Sequence, residues 1–188
     1  MIDVYAICAH PTAPLPDVAP LALVPAGELA AVVAPAAADG DDATPEALWR
    51  HEEIVEALME DRDLLPVRYG TRFDDEQAAA GAVQQREAAL VLALERVRGA
   101  VEVSLRVLDT RDPPAADAPD AVDQPLSELA RASTRRPTRA PAEVLRAAYL
   151  IDRDAQRTFA DRVADLQAAN PELRLLCTGP WPPYSFVD

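Results

Sequence analysis

Four groups of residues in this chain have side-chain types and spacings that could do chemistry. Cys8 and His10 lie two residues apart, which on an extended strand puts a thiol and a base on one face. Nothing beside them supplies the donors of an oxyanion hole, so Cys8 reads as a small core residue and His10 as a strand end. His51-Glu52-Glu53 offers metal-ligating groups, but the two-histidine zinc motif of a helix needs a second His where Val55 stands. His51 borders the apolar positions Leu48 and Val55, the setting of a packed or interface histidine. Arg68, Thr71 and Arg72 surround Gly70 in VRYGTRF and could grip an anion. Ion pairs between these arginines and the carboxylates of the following DDEQ are the favoured alternative.

The fourth group is the C-terminal GPWPPYSF. Its prolines remove donors and fix φ, so it is expected to be neither helix nor central strand, but extended near polyproline II. That would lay Trp181, Tyr184 and Phe186 on a surface. Either the rings pack back on their own domain, or they form an apolar anchor for another chain. The six glycines include no phosphate-binding spacing. The residues therefore point to no catalytic group, metal ligand or cofactor, and the partner-binding candidates are Trp181, Tyr184, Phe186, Arg68 and Arg72.

The elements that must position these residues follow from periodicity and punctuation. Ile2–Ala9 reads as a buried strand, and four prolines between residues 11 and 20 make the next stretch a loop. Residues 21–24 and 29–33 read as a hairpin turning at Pro25-Ala26-Gly27, with a polar turn at Asp39-Gly40-Asp41-Asp42. Thr44 caps a helix with Pro45 in its first turn and Leu48, Val55, Leu58 and Met59 on one face. Leu64–Tyr69 is a strand whose Pro66 calls for an edge or a bulge. One long helix is expected over about 75–98, with stripe Val83, Leu90, Leu94 and Val97, ended by Gly99.

Residues 101–107 alternate as a strand with one buried and one wet face. Residues 112–125 lack an apolar period and read as a loop, with a short helix at 126–132 broken by Arg135-Arg136-Pro137. The run 144–151 is helix or strand by periodicity alone. Asp152 is placed to cap a helix over 153–169, Asn170-Pro171 stops it, and 173–177 is a last strand. The plan is α+β, with mixed or antiparallel sheets, helices on one face and a low-complexity loop at about 112–141. The length fits one large domain or two small ones, the latter divided as 1–99 and 100–188.

Composition bounds the function. The chain has 188 residues, 49% of them hydrophobic, which excludes a disordered tail, and no apolar run reaches the ~20 residues of a membrane span. Eighteen basic residues, all Arg, face 32 acidic ones for a net charge of −14, a field that repels a phosphate backbone. Two cysteines and the absence of a basic leader at Met1-Ile2-Asp3 suggest the cytoplasm. No nucleic acid and no membrane are expected as partners.

The segments WRHEEIVEALM (49–59), LPVRYGTRF (65–73), GAVEVSLRV (99–107), AAYLID and the terminal TGPWPPYSFV, in this order, resemble the gas vesicle protein F/L family. The resemblance implies a non-catalytic accessory or minor structural role in building gas vesicles, the hollow protein shells that give some prokaryotes buoyancy. It implies two α+β domains, the C-terminal one ferredoxin-like, and as partners the major shell protein and other vesicle accessory proteins, at the gas vesicle. The family has no agreed catalytic residues to carry over. Longer members have a more extensive central helical segment than residues 112–141 provide. The alternatives are a stable component of the finished wall and, of a different kind, a small-ligand domain or enzyme using Arg68, Arg72, His51 or Cys8.

Overall fold

A computed structural model of the chain describes residues 1–10, 13–36 and 44–187; the polar turn expected at 39–42 lies outside them. The chain divides into two compact units, Met1–Arg98 with the C-terminal Phe186, and Gly99–Ser185.

In the first unit, β1 (Ile2–Ala9) is the centre of a sheet in the order β2-β3-β1-β4. β2 (Ala22–Ala26) and β3 (Leu29–Pro35) form the expected hairpin, but Ala26 pairs with Leu29, so the turn is Gly27-Glu28. Gly27 has φ +70 and Glu28 does not have positive φ, which makes this a type II′ turn whose twist matches the strands. β3 is buried at every position from Leu29 to Ala34, as a strand covered on both faces must be. β4 (Leu64–Pro66) pairs with β1 at the sheet edge, so Pro66 sits where no ladder donor is needed. After Gly70, φ +81, β5 (Arg72–Phe73) resumes pairing with β1.

α1 (Pro45–Met59) starts as expected, with the Ala47 N–H donating to Thr44 Oγ1 at 3.2 Å. Val55, Leu58 and Met59 are buried, whereas Leu48 is 42% exposed, so the stripe begins one turn later than its spacing suggests. The expected long helix is two, α2 (Glu76–Gln85) and α3 (Glu87–Val97), broken at Arg86 with φ −115 and ψ 9. The predicted stripe survives the break: Val83, Leu90, Leu94 and Val97 are all buried.

The second unit runs β6 (Ala100–Asp109), α4 (Ala118–Ser127), β7 (Ala132–Arg135), β8 (Glu143–Asp152), α5 (Gln156–Ala169) and β9 (Leu173–Trp181). Its antiparallel sheet has the order β7-β8-β6-β9, the split β-α-β arrangement of a ferredoxin-like fold. The ambiguous run 144–151 is therefore a strand. Tyr149 and Phe159 meet at 5.3 Å between ring centroids in its core.

Four expectations are corrected in this unit. Residues 118–127 are helical: Ala118, Val122 and Leu126 recur every four residues and are buried, with Pro119 in the first turn where a missing N–H costs nothing. The helix expected at 126–132 contributes only its first two residues to α4, and Ala132 opens β7. β6 has no continuous wet face, since Glu102 is buried beneath the C-terminal tail and only Arg106 is exposed along it. Asp152 makes no side-chain cap; its carboxylate accepts from Arg131 instead, and a 3₁₀ turn at Arg153–Ala155 leads into α5.

Candidate interaction surface

The C-terminal tail is built onto the sheet. β9 continues through Thr178-Gly179-Pro180 to Trp181, which pairs with Glu102. The expectation of polyproline geometry for this stretch is thus replaced by an edge strand, the one place where a sheet accepts proline. Gly179, φ +127, is required there: a Cβ would lie 2.8 Å from the Glu102 carbonyl oxygen. The Trp181 indole N–H donates to Thr178 Oγ1 at 3.2 Å. Beyond it, the buried Glu102 carboxylate accepts from both the Ser185 N–H (2.7 Å) and its hydroxyl (2.6 Å), and Arg136 donates to the same hydroxyl at 2.5 Å. A carboxylate and a guanidinium therefore latch one serine, a charge-assisted clamp on the tail.

The three rings of the tail are not equivalent. Phe186 is 8% exposed and counts with the core, while Trp181 and Tyr184 are partly exposed. Arg68 is exposed; its carbonyl accepts from the Thr71 hydroxyl at 2.9 Å, closing the turn around Gly70. Arg72 pairs across the sheet with Asp3 of β1 at 2.7 Å. Strand pairing sets this partner, because Asp3 and Arg72 are directly opposite.

His51 is buried. Its Nε2 lies 2.8 Å from the Val67 carbonyl, its ring stacks on Tyr5 at 5.0 Å, and Tyr69 meets it edge-on at 5.7 Å. Burial pushes its pKa below the usual value, opposed by the Val67 hydrogen bond and Asp3. This is the packed histidine its spacing predicts, fastening α1 to the loop that carries Arg68. Cys8 is buried with its thiol toward the Ala30 carbonyl at 3.9 Å, while His10 is exposed past the end of β1, so no thiol–base pair forms. Among the described residues no cluster of three His, Cys, Asp or Glu is placed to hold a metal, and no helix is long and apolar enough to cross a membrane.

The sequence reading missed an exposed apolar patch and several buried charges, Arg62 and Asp109 among them. Trp49 is 69% exposed on α1, beside exposed Leu48, and lines a shallow depression with Val18, Glu46, Arg50, Glu53 and Ile54. Trp49 stands off the stripe formed by Val55, Leu58 and Met59, which is the signal that could have found it. Arg62, buried, donates to the Leu58 carbonyl of α1 (3.1 Å) and to the Ala13 (3.3 Å) and Pro14 (2.7 Å) carbonyls, pinning the proline-rich loop. Asp109 accepts from the Arg111 guanidinium and from the N–H groups of Arg111 and Ala115, both at 2.9 Å, and holds the turn that enters α4. These contacts, Arg111 foremost, keep its carboxyl far below the usual range.

Comparison with known proteins gives a consistent set of likenesses. The family model described as "Gas vesicle synthesis protein GvpL/GvpF" matches residues 3–120 and 111–188. The chain is 28% identical over 166 residues to gas vesicle protein F2 of Halobacterium salinarum, covering 85% of this chain and 76% of that one. It is 27% identical over 166 residues to gas vesicle protein F of Haloferax mediterranei (85% and 78% covered), and 28% over 207 residues to gas vesicle protein L of a Streptomyces species (87% and 77%). The fold matches the crystal structure of GvpF from Anabaena with TM-score 0.85 at 18% identity, covering 100% of this chain and 95% of that one. It matches GvpF from Microcystis aeruginosa with TM-score 0.83 at 16% identity, covering 100% and 98%.

Proposed function

The chain belongs to the gas vesicle synthesis protein GvpL/GvpF family, and from that premise we propose that it is a non-catalytic accessory protein that binds shell subunits and other vesicle proteins during assembly. The observation that carries this reading is the family match, which runs from residue 3 to residue 188. Physical chemistry supplies the reason for such a role. A strongly hydrophobic shell subunit aggregates until its apolar surface and strand edges are covered. A partner with net charge −14 keeps the pair in solution while offering local apolar contacts. The half-exposed Trp181 and Tyr184 are the contacts proposed on the tail, with exposed Arg68 as a contact on the first unit. Phe186 is buried, and Arg72 serves the β1–β5 pairing.

The test is capture of the major shell subunit by the purified chain. The wild type is expected to retain it, and the double variant Trp181→Ala/Tyr184→Ala to retain several-fold less with unchanged circular dichroism. Equal capture by the variant would remove the tail from the interface, and no capture by the wild type would remove the reading. Purified vesicles washed in high salt separate this role from that of a stable wall component: an assembly protein is released, whereas a wall protein stays.

A further inference from the structure

The two sheets have four edges, and three are blunted. β2 carries Pro25, β4 carries Pro66, and β7 is four residues long and bounded by Arg131, Arg135 and Arg136. Proline, shortness and charge are the ordinary protections of an edge. β9 is different. It is nine residues long, and its one proline, Pro180, lies near its end.

Which backbone groups of β9 face outward follows from its contacts. The Thr110 N–H donates to the Glu172 carbonyl at 2.9 Å, so residue 172 points toward β6. The Leu175 N–H instead donates to Oε1 of Gln167 on α5 (2.9 Å), and Gln167 Nε2 donates to the Leu173 carbonyl (2.7 Å). Antiparallel strands alternate, so even-numbered residues bond inward and 173, 175 and 177 face outward. The Gln167 amide thus occupies the first outward rung in the manner of a neighbouring strand. The next rung, made of the Leu175 carbonyl and the N–H and carbonyl of Cys177, has no hydrogen-bond partner among the described residues. Leu176 beside it is 48% exposed, Cys177 and Thr178 are exposed, and exposed Arg174 forms no ion pair among the described residues.

We propose that the outer edge of β9 at Leu175–Cys177 receives an extended segment of a partner protein as an added antiparallel strand. Side chains on the pleat define that segment. It places an apolar residue opposite Leu176 and, two residues further on along the same face, a carboxylate opposite Arg174. A second copy of this chain is a poor occupant, because pairing would bring two bodies of charge −14 together. The inference rests on the assembly reading above and gives it a surface: the strand comes from the shell subunit.

The experiment is amide hydrogen exchange by NMR on the complex isolated after co-expression with the major shell subunit. In the free chain the outward Cys177 N–H exchanges fast while those of Leu176 and Thr178 are protected. In the complex the Cys177 amide is expected to slow at least about tenfold. Cys177→Pro removes the outward donor while sparing the β6–β9 ladder, and is expected to weaken co-elution by about tenfold. Arg174→Glu, an exposed change with no bearing on folding, is expected to weaken it too. Co-elution with a fast Cys177 amide and no effect of either variant would overturn the strand-addition site and leave the assembly role standing. Failure of the wild-type chain to co-elute would overturn both.

Discussion

At the scale of single residues, the first unit depends on a glycine and an arginine. Gly27 adopts φ +70, and a Cβ there would lie 1.9 Å from Oε1 of Glu87, the atom that accepts the Glu28 N–H at 2.7 Å. Gly27→Ala is expected to cost about 1–2 kcal/mol for the left-handed backbone, plus about 1 kcal/mol for the displaced hydrogen bond. In urea denaturation the variant Gly27→Ala/Glu87→Ala should lose less than the sum of the single changes, since the second removes what the first collides with. Arg62→Met strips the Ala13 and Pro14 carbonyls of their donors. A loss of about 1–3 kcal/mol is expected, with faster proteolysis in the proline-rich loop.

Two titrations act at the same scale and in different pH windows. Burial holds the His51 pKa below its ordinary value, so the unfolded chain takes up the proton first as pH falls. Its contribution to stability is complete above about pH 6.5 and is lost as pH falls toward the native value. Melting temperature between pH 7.5 and 5 should fall less in His51→Gln, whose amide can still donate to the Val67 carbonyl but does not titrate. A steeper fall in the variant would contradict this account. Asp109 is depressed chiefly by Arg111, and Glu143 chiefly by the Arg139 N–H and then by Arg106. Their contribution is present above about pH 4 and is lost on further acidification, so Asp109→Asn should flatten that acid limb.

At the scale of elements, much was legible where local chemistry and tertiary demand agree. The Thr44-Pro45 start of α1, the edge position of Pro66 and the stripe Val83, Leu90, Leu94 and Val97 are local signals that the fold keeps. The losses have physical causes. Prolines at 119 and 125 and five acidic residues from 109 to 123 conceal a helix whose buried apolar marks are Ala118, Val122 and Leu126. Val122→Ala should therefore cost about 1–3 kcal/mol although it lies in a stretch that reads as a linker. The break at Arg86 follows a polar Gln-Gln-Arg-Glu run without glycine or proline, so nothing in the residues marks it. The wet face predicted for β6 disappears because a segment eighty residues away lies over Glu102, a long-range fact that no window of sequence contains. The site residues divide along the same line. The packed His51 could be read from its spacing, but the partner of Arg72 is set by strand register and the open rung of β9 by the reach of Gln167.

At the scale of the molecule, the second unit has a complete split β-α-β circuit and its own buried core around Tyr149, Phe159 and Leu105. A fragment beginning at Gly99 is expected to unfold cooperatively in urea; a broad, non-cooperative loss of signal would show that its core needs the first 98 residues. The net charge of −14 suits the proposed partnership with a strongly hydrophobic shell subunit. The most direct measurement of that claim is co-expression with the major shell protein, followed by size-exclusion chromatography of the soluble fraction. Shell protein is expected in the soluble fraction, eluting together with this chain. Shell protein found only in the pellet, with this chain eluting alone, would contradict it.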